Sequence, residues 1–87
     1  RGDYGKAETL YGRALAEREK QLGLEHIYTL RAVHNLAVVY HRQGRYGEAE
    51  ALYGRALAGR EKQLEPEHPD TLRTVQNLAV VYQNQGR

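Results

Sequence analysis

The chain has 87 residues, no cysteine, and thirteen Lys and Arg against eleven Asp and Glu, for a formal charge of +2. The lack of cysteine excludes disulfides and thiolate metal sites and fits a reducing compartment; the small, dispersed charge argues against a nucleic-acid surface, which needs basic residues gathered on one face. No apolar run approaches the roughly 18 residues of a membrane span and no charged-then-apolar leader opens the chain, so the expectation is a soluble cytoplasmic protein with no membrane contact.

Tyr4, Ala7, Tyr11, Ala14, Leu15 and Leu22 recur at three-and-four spacing, which predicts an amphipathic helix over residues 4–22. The connection that follows carries Leu24, Ile27 and Tyr28 but no proline and no acidic cap. It reads as the less rigidly defined of the two long connections, with Thr29 as a weak start to a second helix over 29–43. Leu30, Val33, Leu36, Ala37 and Tyr40 form that helix's stripe, and Gly44 stands where a left-handed cap would end it. A third helix over 46–64 places Ala49, Tyr53, Ala56 and Leu57 on one face. Pro66 and Pro69 then break the pattern before Asp70, a good N-cap for a fourth helix over 70–85, whose stripe is Leu72, Val75, Leu78, Ala79 and Tyr82 and whose cap is Gly86. Gly12 and Gly54 fall inside helices, where each costs about 1 kcal/mol against alanine. They mark either a close helix contact or a tolerant exposed position.

These four segments are two copies of one text. GDYGKAETLYGRALAER, from Gly2, returns as GRYGEAEALYGRALAGR from Gly44, and TLRAVHNLAVVYHRQGR, from Thr29, returns as TLRTVQNLAVVYQNQGR from Thr71. The offset is about 42 residues, a period that signals a stacked helical array rather than a closed globule. Both copies break in the same phase, so the chain reads as one segment, residues 1–87, of a longer array.

The residues that carry this pattern resemble the tetratricopeptide repeat family. Val33, Leu36, Ala37 and Tyr40, and again Val75, Leu78, Ala79 and Tyr82, keep its first-helix spacing. Ala49, Tyr53 and Ala56, and again Ala7, Tyr11 and Ala14, keep its second-helix spacing. NLAVVY, QGRY, EAEALYGRAL and the Glu-His-Pro-Asp connection are similar to the longer repeats of kinesin light chains and fungal or bacterial NLR-type proteins. Val33 and Val75 stand where the family usually has a larger residue, and Glu61 where the common repeat closes with proline. The resemblance implies an all-α, right-handed superhelix of antiparallel helices in B-A-B-A register, with one complete pair over 29–64. Both ends would then expose apolar side chains, which points to possible head-to-tail self-association through the terminal helices.

Catalysis is not expected. The chain has no serine or cysteine nucleophile, Asp3 and Asp70 are far apart, and most carboxyls recur in both copies. His34 and His41 lie two helical turns apart, about 10.5 Å along the axis, too far to share one metal ion. His26 and His68 suit loop hydrogen bonds better. No cofactor or metal site is predicted, and Arg1-Gly2-Asp3, an adhesion tripeptide by spelling, is read as coincidence.

In the resembling family the first helix of each pair lines a concave groove. That register puts Arg31, His34, Asn35, Val38, His41 and Arg42 there from one copy, and Arg73, Gln76, Asn77, Val80, Gln83 and Asn84 from the other. The side-chain amides of Asn35 and Asn77 can hold an extended backbone while the arginines meet carboxylates, and the histidines add pH sensitivity. The differences between copies, Ala32/Thr74, His34/Gln76, His41/Gln83 and Arg42/Asn84, fall largely on this face. The expected function is noncatalytic binding of a peptide or protein partner. The alternative is a structural array that stacks without a dedicated ligand, and RNA binding is a weaker third reading.

Overall fold

The computed structural model describes residues 3–86. Its four helices, α1 Tyr4–Leu22, α2 Ile27–Arg42, α3 Tyr46–Gln63 and α4 Pro69–Asn84, pack antiparallel in chain order. The closest packing is always between neighbours in sequence: α1 with α2, α2 with α3, α3 with α4.

Helices α2 and α4 begin earlier than the apolar stripe suggested, because a histidine rather than Thr29 or Asp70 caps each of them. The backbone N–H of Tyr28 donates to His26 Nδ1 at 3.1 Å, and that of Asp70 donates to His68 Nδ1 at the same distance. An imidazole nitrogen here does what an N-cap oxygen usually does. Asp70 falls in the first turn behind Pro69, where a carboxylate complements the helix dipole. The first connection, without prolines, has a clasp of its own. Thr29 is fully buried and its hydroxyl donates to the Gly23 carbonyl at 2.8 Å, so it clasps the loop instead of starting the helix. Arg1 and Gly2 of the adhesion-like tripeptide lie outside the described residues, and Asp3 is the N-cap of α1, accepting from the Lys6 N–H at 3.4 Å.

Gly44 closes α2 at a φ of +81°, a conformation that costs a side chain about 1 kcal/mol or more. This lets the Arg45 N–H turn back to the Tyr40 carbonyl at 2.9 Å. Gly12 and Gly54 face open space, so the tolerant-position reading is the one that fits. The close contact is at Gly59, where a Cβ would stand 2.6 Å from Leu30 Cδ1.

Helix α2 is the centre of the molecule. Val33 and Leu36 join Leu15 and Ala56 in one cluster, and Ala37 joins Ala49, Tyr53 and Val81 in another. Because α1 and α4 are covered on one side only, Leu72, Val75 and Tyr11 remain exposed.

Candidate functional site

Helices α2 and α4 run side by side, and a cleft of about 270 Å³ opens between them. It is lined by Val38, His41 and Arg42 from α2 and Asn77 from α4, with Tyr53 of α3 at its floor. Four of the groove residues predicted from the sequence thus meet in one place. A longer trough runs beside it, where α1 lies along α2. One hollow of about 420 Å³ is lined by Tyr11, Ala14, Arg18, Tyr28, Arg31, Ala32 and Asn35. Another, of about 280 Å³, shares Tyr11 and Asn35 and continues past Val38 to Arg42. Arg73, Gln76, Val80, Gln83 and Asn84 are exposed on α4, outside these hollows.

His34 departs from the groove assignment. It is only 5% exposed, with its ring turned edge-on to Tyr53 at 5.3 Å. Its Nδ1 lies 3.3 Å from the Thr74 hydroxyl and 3.4 Å from the Arg60 guanidinium, and its Nε2 lies 3.3 Å from the Asn77 amide. Arg60 at Nδ1 and the Asn77 amide nitrogen at Nε2 both face the ring as donors, which favours the neutral imidazole over the imidazolium. Burial, then the charges of Arg60 and Arg73, hold the His34 pKa down to about 4 against the opposing pull of Asp70. A neutral imidazole that ties three helices together is a structural group, so the pH sensitivity expected of a ligand contact becomes here a property of the fold.

Arg60 is the unusual member of this junction. Its guanidinium donates to the Thr74 hydroxyl at 2.7 Å and to the Asp70 carbonyl at 3.1 Å, yet among the described residues its Nε has no hydrogen-bond partner and no carboxylate forms an ion pair with it. Burial lowers its pKa, and Arg73 and Arg31 lower it further while Asp70 resists. Arg73 and Arg31 therefore act on the Arg60 guanidinium through their charge.

The other groove residues are partly engaged with one another. His41 Nε2 meets the Asn84 amide at 2.7 Å and packs its ring edge-on to Tyr46 at 5.5 Å. Arg31 stacks on one side of Tyr28 at 5.4 Å, and Arg18 lies over the same ring at 5.6 Å. Asn77 also hydrogen-bonds Tyr53, whose hydroxyl burial pushes up in pKa.

Three tyrosines thus belong to the site although the sequence offered them no place in it. Tyr53 was legible only as core, and Tyr11, its counterpart in the first copy, shared that reading. Tyr28 stood in the connection read as the less rigidly defined of the two.

Among the described residues no group of three or more His, Cys, Asp or Glu comes together to hold a metal ion, and no helix is long and apolar enough to cross a membrane. The groove presents amide and guanidinium donors over an apolar floor, chemistry suited to a polypeptide with carboxylates. The family model for the tetratricopeptide repeat matches residues 1–62 and again residues 31–87. No curated protein matches the chain.

Proposed function

Because the chain belongs to the tetratricopeptide repeat family, we propose that it is a noncatalytic protein-interaction module that holds an extended segment of a partner along α2 and α4. The observation that carries this reading is the cleft over Tyr53, where Asn77, His41 and Arg42 converge beside Val38. The Asn77 amide can pair with a peptide backbone, Val38 supplies apolar contact, and Arg31, Arg42 and Arg73 favour acidic side chains. Asn35 repeats the Asn77 position one unit earlier, in the trough beside α1, so one strand could be held at both amides.

We further place the chain with the longer, kinesin-light-chain-like and NLR-type repeats, and in the cytoplasm. Support for the first comes from the period of about 42 residues and the NLAVVY and Glu-His-Pro-Asp phrases; support for the second comes from the absence of cysteine.

The test is selection from a random peptide library on the intact chain, followed by affinity measurement against Asn77→Ala, Asn35→Ala and Arg42→Glu. Selected peptides should be rich in Asp and Glu and should weaken about tenfold with Asn77→Ala, the loss of one to two hydrogen bonds. Peptides that bind all three variants as tightly as the parent would refute the groove.

A further inference from the structure

Asn77 brings one donor atom and one acceptor atom to the wall of the cleft, and the buried junction behind it commits one of them. The Asn77 amide nitrogen lies 3.3 Å from His34 Nε2. Asn77 also donates to the Tyr53 hydroxyl oxygen, a bond that works against burial in setting the Tyr53 pKa. The direction of the first contact depends on the His34 tautomer, because a neutral imidazole accepts at one nitrogen and donates at the other.

A count of hydrogens settles the tautomer. Arg60 Nη1 carries two of them. It lies 2.7 Å from the Thr74 hydroxyl and 3.1 Å from the Asp70 carbonyl, against 3.4 Å from His34 Nδ1, so the two shorter contacts take both. Thr74 gives its own hydrogen to the Asp70 carbonyl at 3.2 Å, which leaves its oxygen to accept from Nδ1–H at 3.3 Å. Each hydrogen on Nη1, on the Thr74 hydroxyl and on the ring then has an acceptor, with the ring proton on Nδ1. The Nε2 lone pair accepts one Asn77 amide hydrogen and Tyr53 accepts the other, so the amide oxygen Oδ1 is what Asn77 offers to the cleft. His34, Tyr53 and Thr74 are 5%, 1% and 0% exposed, and water has little access with which to rearrange this network.

We propose that His34 is a positioning residue of the cleft, turning the Asn77 amide so that its oxygen accepts a backbone N–H from the bound polypeptide. This deepens the groove reading above and rests on it. The donor is a backbone N–H rather than a cationic side chain because the cleft lining holds Arg42 and no carboxylate, and Arg73 stands one turn before Asn77 on α4; both charges repel lysine and arginine. An acidic side chain of the partner is then left to Arg42, and the partner residue at Asn77 is not proline, which has no N–H. The contact between imidazole and amide recurs two turns along, where His41 Nε2 lies 2.7 Å from the Asn84 amide nitrogen.

Two measurements test the proposal, the first without any ligand. Imidazole nitrogen shifts report the tautomer, and His34 should carry its proton on Nδ1 at about pH 7; a proton on Nε2 overturns the proposal. The second uses the tightest peptide selected on the intact chain, remade with each backbone amide in turn replaced by an ester, which deletes one N–H. One ester should weaken binding about tenfold and should cost nothing further in Asn77→Ala. His34→Leu, which gives Asn77 no acceptor, should erase most of that ester penalty, while His34→Gln, whose side-chain oxygen can accept, should keep it. The tautomer and the Asn77→Ala comparison decide the matter whether or not His34→Leu folds. Peptides that weaken with Asn77→Ala yet tolerate every ester overturn the proposal and leave the groove standing. Peptides indifferent to Asn77→Ala bring down the groove reading and this proposal together.

Discussion

Lowering the pH should unfold this protein through His34. The ring is neutral in the folded state because its pKa is held at about 4, against 6.5 for a free histidine. A depressed folded value means that the unfolded chain binds the proton first, so stability is whole above about pH 6.5 and falls as the pH drops toward 4. Each pKa unit is worth about 1.4 kcal/mol, which sets the complete loss at no more than about 3.5 kcal/mol, of which about 2 is reached by pH 5. Water at the groove edge screens the neighbouring charges and keeps these figures upper limits. The assay is urea unfolding at about pH 7, 6 and 5 for the parent and for His34→Gln. Glutamine already occupies the equivalent position, residue 76, so the helix accommodates it. His34→Gln should remove most of the pH dependence between 7 and 5, whatever it does to stability at pH 7. Parallel pH profiles for the two proteins would refute the assignment of a low pKa to this ring.

Gly59→Ala should gain less than alanine's better helix propensity alone would give, because its Cβ must displace the Leu30 methyl groups. Gly54→Ala, on the same helix but facing open space, should stabilise by up to about 1 kcal/mol; urea midpoints of the two variants compare them directly, and equal gains would contradict the close contact. Arg60→Met removes a buried charge that makes no ion pair among the described residues, so stability should change little while the His34 midpoint followed by NMR titration moves upward. Gly44→Ala should cost about 1 kcal/mol by thermal or urea unfolding, since its φ of +81° is unfavourable for any residue with a Cβ.

Helix number and order, and the core faces of α2 and α3, were legible because the apolar stripe repeats with helical spacing. Val33, Ala37, Ala49 and Tyr53 are all fully or almost fully buried for that reason. On α4, by contrast, the stripe residues Leu72, Val75, Ala79 and Tyr82 are exposed and Thr71, Thr74 and Val81 are buried instead, and on α1 only Leu15 of the stripe is buried. The starts of α2 and α4 were less legible, since histidine is an uncommon cap and nothing in the text ranks His68 above Asp70. Gly59 escaped notice because its counterpart is Glu17, and a repeat comparison reads such a difference as drift. His34 shows the limit of register arguments. Its helix position points toward the groove, but Thr74 and Arg60 offer its ring a buried polar junction, and only the three-dimensional meeting of α2, α3 and α4 reveals it. Arg18, the counterpart of Arg60, remains exposed over Tyr28, so the same letter has two fates.

The packing of each helix mainly on its neighbours in sequence has a mechanical meaning. A force pulling the two ends apart along the stacking axis is carried by the junctions in series, so every junction feels the full load and the weakest yields first. Helices α1 and α4, gripped on one side, peel before the α2–α3 pair, and each can return to its seat without waiting for distant strands to meet. Such a chain behaves as a short spring with discrete, reversible steps.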